Sequence, residues 1–150
     1  MTDDNTFDTA PGLIQREDIT VMLDQTADEI TAIQRLWPQF EQLVGVRGRK
    51  MYAMVEIAAG TYATCTPVLD RDDPAALGLR TGVLPGGWYL RGCISGEPPA
   101  LYNRIGRSMA ELRARAAADP GRPLVEFYRR HDQIELWVPV AGPATGPGRE

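Results

Sequence analysis

An α+β domain built from a duplicated strand-helix-strand-strand module is what this sequence predicts, and three observations predict it. Two stretches carry apolar residues at helical spacing. Each is followed by two runs with the period-two alternation of strands. Corresponding elements recur about 72 residues apart, Trp37 with Met109 and Met54 with Glu126. A chain of 150 residues suits one domain, and folding at that length buries about 68–70% of the unfolded surface.

The elements follow in order. Residues 1–12, opening "MTDDNTFDTAPG", and 141–150, "AGPATGPGRE", are polar and rich in Gly and Pro, so flexible ends are expected on either side of a domain at 13–140. The first pseudo-repeat spans about 13–68. "LIQREDITVML" reads as one strand. "TADEITAIQRLWPQFEQLVG" reads as a helix with Thr26 as N-cap, Glu29 closing a capping box and Gly45 as C-terminal stop. Its buried stripe is Ile30, Ile33, Trp37, Phe40 and Val44, against which Pro38 is a discord that removes a backbone donor. "RKMYAMVEI" and "GTYATCTPV" form a hairpin. Residues 67–85 join the halves as a loop, with one helical turn possible at "DDPAALG", capped by Asp73.

The second pseudo-repeat, about 86–140, opens on the strand "GGWYLRGCI". A helix follows from about Pro98 to Ala117, with Leu101, Ile105, Met109, Leu112 and Ala116 as its stripe, and "PLVEFYRR" and "QIELWVPV" close the module.

Composition excludes several function classes. A net charge of -4 and a pI near 5.1 disfavour a dedicated nucleic-acid binder, which needs a basic face. No apolar run reaches the roughly 18 residues of a membrane span and the start lacks a signal peptide's apolar centre, so a cytoplasmic protein without membrane contact is expected. Cys65 and Cys93 have no Cys or His neighbours at zinc spacing, so buried free thiols and no metal are expected; His131 falls in a hairpin turn. "GVLPGGW" lacks the Lys-Ser/Thr of a phosphate loop, and no cofactor is expected.

The residue that raises a functional question is Glu126, a carboxylate between Val125 and Phe127. With His131 and Asp132 as a two-residue turn, or Arg130 to Gln133 as a four-residue one, Glu126 lies across from Trp137 and Tyr128 across from Glu135. One face then holds Leu124, Glu126, Tyr128, Glu135 and Trp137, and the other, the core face, holds Val125, Phe127, Ile134, Leu136 and Val138. "MYAMVEI" sorts in the same way, with Tyr52, Met54 and Glu56 opposite an aliphatic set. Aromatics on a solvated face leave costly apolar surface in water. Either loops or a dimer contact cover them, or they wall a cleft at the pseudo-twofold axis. An unpaired carboxylate there is costly unless a cationic ligand, Tyr128 or an arginine satisfies it.

"LVEFYRRHDQIELWVPV" resembles the closing hairpin of the GyrI-like small-molecule-binding (effector-binding) family, in which a strand with Glu, one residue, then Tyr precedes a strand ending in Pro. "LPGGWYLRGCISG", with Gly87 and Tyr89, is similar to that family's second-half opening strand. The resemblance covers roughly residues 13–140. It implies a curved antiparallel sheet, two main helices flanking a central groove, and a planar, hydrophobic, often cationic ligand above the glutamate that Glu126 matches. It also implies a stand-alone member, since no residues remain for a helix-turn-helix domain and direct DNA control is not expected.

Two functions follow. The first is a binding module for sequestration, resistance or sensing, using Glu126, Tyr128, Trp137, Tyr52 and Met54, with Trp37, Tyr102 and Trp88 as further candidates. Trp37 fits the core better than a pocket, and only one of Trp88 and Tyr89 can face a cleft. The second, implied by the resemblance, is a hydrolase of cyclopropane-bearing genotoxic natural products, with Glu126 as general base and Tyr128 as hydrogen-bond partner. A protein partner such as a topoisomerase is a third class, with no patch in the charge pattern to mark it.

Overall fold

The computed structural model describes residues 6–143. Eight strands form one antiparallel sheet, curled into a half-barrel with helices packed on it. The strands are β1 (Gly12–Arg16), β2 (Ile19–Ala27), β3 (Met51–Glu56), β4 (Thr61–Pro67), β5 (Arg80–Leu84), β6 (Gly87–Ser95), β7 (Leu124–Arg130) and β8 (Gln133–Val140). The helices are α1 (Ile30–Val44), α2 (Ala100–Asn103) and α3 (Ile105–Arg113). The strand order is β1-β6-β8-β7-β3-β4-β2-β5, so the two modules meet at the central pair β3 and β7. Among the described residues no helix is long and apolar enough to cross a membrane.

The modules exchange their edges. "LIQREDITVML" is two strands rather than one, because the chain turns at Glu17 and Asp18: β2 pairs with β4 in its own module, while β1 crosses to pair with β6 in the other. The segment joining the halves does the reciprocal thing and is not merely a loop. Its end, β5, pairs with β2, and β6 follows directly. A five-residue strand with Gly82 at its centre carries too weak a pattern to be read from sequence. Of the turn expected there, Asp73 does cap, its Oδ1 accepting from Ala76 N at 3.3 Å.

Local signals in α1 hold with two changes. Thr26 belongs to β2, and Glu29 itself is the N-cap, its carboxylate accepting from Ala32 N at 3.1 Å. Ile30 is 67% exposed, and Leu36 joins Phe40 and Val44 in the buried stripe. Gly45 ends the helix at φ +72°, a conformation that costs glycine little. The second helix is two pieces that stop at Arg113, still burying Leu101, Met109 and Leu112.

Both faces of the sheet are buried. The helices cover one, with Leu36 of α1 packed over Val55, Leu124, Leu136 and Val138. The curl closes around the other, over Val21, Tyr52, Leu84, Tyr89, Val125 and Trp137. Phe7 packs into the helix-side core against Gly92, Thr6 Oγ1 donates to Glu111 at 2.7 Å and Asp8 N donates to Cys93 O at 2.8 Å, so residues 6–8 are held against the domain where a loose end was expected. Residues 1–5 and 144–150 lie outside the described part. Cys65 is buried, which pushes its thiol up to about 12, and Cys93 is half-buried.

A buried ion pair fastens α1 to the segment between the modules. Arg49 donates through Nε to the carbonyls of Val44 and Gly45, at 3.0 and 2.9 Å, and through its two terminal nitrogens to both oxygens of Asp72, at 2.9 and 2.5 Å.

Candidate functional site

The β7–β8 hairpin decides which side chains can share a site. At its turn Arg130 pairs with Gln133, as the two-residue turn predicts. Beyond it the register slips. Phe127 pairs with Glu135, Glu126 with Leu136 and Val125 with Trp137, because a β-bulge at Tyr128 and Arg129 sets two residues against one. One extra residue exchanges faces for everything beyond it. Glu126 therefore does not face Trp137. Trp137, Tyr52 and Met54 all lie on the face opposite Glu126, a correction to the expected site, and across β3 Glu126 pairs with Ala53 rather than standing in for Met54.

On the helix side, Glu126 is 7% exposed. Tyr128 Oη donates to its Oε1 at 2.6 Å, and Tyr62 Oη donates to the same oxygen at 3.1 Å. Trp37 Nε1, from α1, donates to Tyr62 Oη at 2.9 Å, and the two phenol oxygens are 3.4 Å apart. The indole of Trp37 lies edge-on to Tyr128 at 4.9 Å, and Tyr102 of α2 approaches the same ring at 6.4 Å. Tyr102 is 46% exposed, and Trp37 and Tyr128 are half-buried. The group thus runs from a buried carboxylate through two phenols to the half-buried ring of Trp37 on α1 and the exposed ring of Tyr102 on α2. Among the described residues no Lys, Arg or His pairs with Glu126.

Burial pushes the Glu126 carboxyl above its ordinary value; the phenol bonds of Tyr128 and Tyr62 oppose this, and the charge of Asp28 adds to it. The Tyr62 and Tyr128 phenols are also pushed up, by burial first and then by the carboxylate beside them. Because the folded protein holds the Glu126 proton more tightly than the unfolded chain does, this group's contribution to stability is complete below 4.5 and is lost as pH rises through the folded value. Glu126→Gln should therefore melt at a higher temperature than the parent at neutral pH, and the gap should close in acid below 4.5.

The sequence-derived candidates separate accordingly. Glu126, Tyr128, Trp37 and Tyr102 come together. Trp137 is core: it is 1% exposed, its Nε1 donates to Glu135 at 3.0 Å, and Tyr52, Tyr89 and Phe127 surround it, with the Arg16 guanidinium 5.2 Å from its ring. Tyr52 stacks on Phe127 in the same cluster, and Met54 packs there too. Trp88 shares the helix side but sits across from Val140, at the end of β8 away from the hairpin turn. Glu135 is 4% exposed and also meets Arg129 at 3.4 Å. Tyr62 was missed. Its signal was present, because the β3–β4 hairpin sets Tyr62 across from Val55 and a phenol reaches over one strand. Among the described residues no cluster of His, Cys, Asp or Glu forms a metal site.

This architecture recurs in solved structures. SAV2435, solved with tetraphenylphosphonium bound, superposes with a TM-score of 0.62 at 15% identity, over 89% of this chain and 95% of that one. The EcmrR C-terminal domain matches at 0.58 and 12% identity, over 87% and 96%. The fold is GyrI-like. An integron cassette protein from Vibrio cholerae superposes with a TM-score of 0.63 at 18% identity, over 87% of this chain and 95% of that one. No family model and no curated protein matches the chain. The expected two-module curved sheet with flanking helices is thus the GyrI-like fold, and its central strand pair carries Glu126.

Proposed function

We propose that this protein captures a lipophilic aromatic cation in the space framed by α1, α2 and the sheet, with Glu126 as counter-charge and Trp37, Tyr102 and Tyr128 as walls. One observation carries the reading: a carboxylate 7% exposed, without a cationic partner among the described residues, lies beneath an aromatic group that opens to solvent. Leaving such a charge unpaired costs several kcal/mol. A bound cation offsets that cost, and aromatic faces add cation–π attraction. Asp28 adds negative charge nearby. That a GyrI-like protein has been solved holding tetraphenylphosphonium supports the ligand class.

The test is a fluorescence titration of wild type and Glu126→Gln with methyltriphenylphosphonium and with neutral triphenylphosphine oxide. The substitution should weaken the cation by about ten- to a hundredfold, the worth of one charge-assisted interaction, and change the neutral compound little. Equal losses for both would refute the counter-charge role. Capture also predicts that ligand is recovered chemically unchanged; mass spectrometry showing addition of water to a cyclopropane-bearing compound would instead favour hydrolysis by Glu126 and Tyr128.

A further inference from the structure

A carboxylate has two oxygens, and at Glu126 the protein uses them unequally. Tyr128 and Tyr62 both donate to Oε1, at 2.6 and 3.1 Å, which fills that oxygen's two lone-pair directions. Among the described residues Oε2 accepts no hydrogen bond. Trp37 fixes this polarity. A phenol has one proton to give, and the indole N–H pointing at Tyr62 Oη from 2.9 Å makes that oxygen an acceptor toward α1, directing its own proton onward toward the carboxylate.

From this we infer that the site takes its cation through a single carboxylate oxygen, and so selects cations with one N–H donor, such as tertiary ammonium groups, over planar forked cations such as amidinium and guanidinium, with Trp37 as a positioning residue. A forked cation binds a carboxylate by two parallel bonds, one to each oxygen. Here the second bond is available only if a phenol gives up its own. A single donor meets Oε2 without that loss. The inference rests on the proposed cation capture and names the class of cation within it.

Calorimetric titration with N,N-dimethylbenzylammonium and benzamidinium, matched in aromatic body and charge, tests it. Wild type should prefer the tertiary ammonium by about tenfold, the value of one hydrogen bond to a charged group. Tyr62→Phe, which frees one lone pair of Oε1, should narrow the preference by strengthening benzamidinium. Trp37→Phe should narrow it too, since the Tyr62 proton is no longer directed. As a readout without ligand, Tyr62→Phe should shift the Trp37 indole N–H resonance. Equal or tighter binding of benzamidinium by wild type, with both ligands weakened by Glu126→Gln, would overturn single-oxygen selection and leave cation capture standing. Failure of both ligands to bind, or indifference of both to Glu126→Gln, would overturn the two together.

Discussion

Trp137→Ala should cost the fold about 3–5 kcal/mol in a denaturant titration, and Trp137→Phe, a milder change that keeps most of the packing, should leave cation affinity at Glu126 as it is in wild type. The indole is among the largest fully buried side chains and fills the interior of the curl against Tyr52, Tyr89 and Phe127. Truncation opens a cavity that a half-barrel closed on both sides collapses into poorly. It also strips Glu135 of the indole N–H, leaving a carboxylate 4% exposed with Arg129, itself 48% exposed in its side chain, as its remaining partner. Loss of cation affinity in the well-folded Phe variant would return Trp137 to the site.

The second large effect belongs to Arg49 and Asp72, whose side chains are 3% and 4% exposed. Removing one partner costs about 1.5–3 kcal/mol, the worth of hydrogen bonds to a charged group, because the remaining charge loses its two-bond contact in a part-buried setting. Asp72→Asn strands the Arg49 guanidinium on the carbonyls of Val44 and Gly45 and loosens the end of α1. The pH dependence has a definite sign. Arg49 first, with Leu69 N assisting, holds the Asp72 carboxyl at about 2 against an ordinary 3.8. That stabilisation is present above 3.8 and is lost as pH falls toward 2. Wild type should lose stability through this window, and the Asn variant should lack that component. Matching acid denaturation curves for the two proteins would contradict the assignment.

Much of the architecture was legible because burial imposes period on sequence. Phe40 and Val44 in α1, and Leu101, Met109 and Leu112 beyond it, fall where helical spacing puts them, and Gly45 marks its stop. Within each strand alternation was also legible: Glu126 with Tyr128, and Glu135 with Trp137, do share faces. What failed was the match between β7 and β8. A bulge residue such as Arg129 has nothing in its side chain to announce that it is extra, and one such residue inverts the relation of two correctly read strands. Equating the plain aliphatic faces of β3 and β7 makes Tyr52 and Met54 look like companions of Glu126, whereas the register sets Ala53 opposite Glu126 and Met54 opposite Val125. The burial of Tyr52 and Met54, puzzling if one face met solvent, follows from the curl, which a pattern confined to single strands cannot report. Tyr62 escaped notice for a related reason: its hydroxyl crosses β3 to reach Glu126, a contact fixed by three strands together.

The claim that Glu126 serves the helix side, apart from Trp137, is tested most directly by following the indole N–H resonances of Trp37, Trp88 and Trp137 while tetraphenylphosphonium is added. The Trp37 resonance should move to saturation and that of Trp137 should stay in place. Movement of Trp137 with Trp37 unaffected would mean that the ligand enters the interior of the curl, and the site drawn around Glu126 would be wrong.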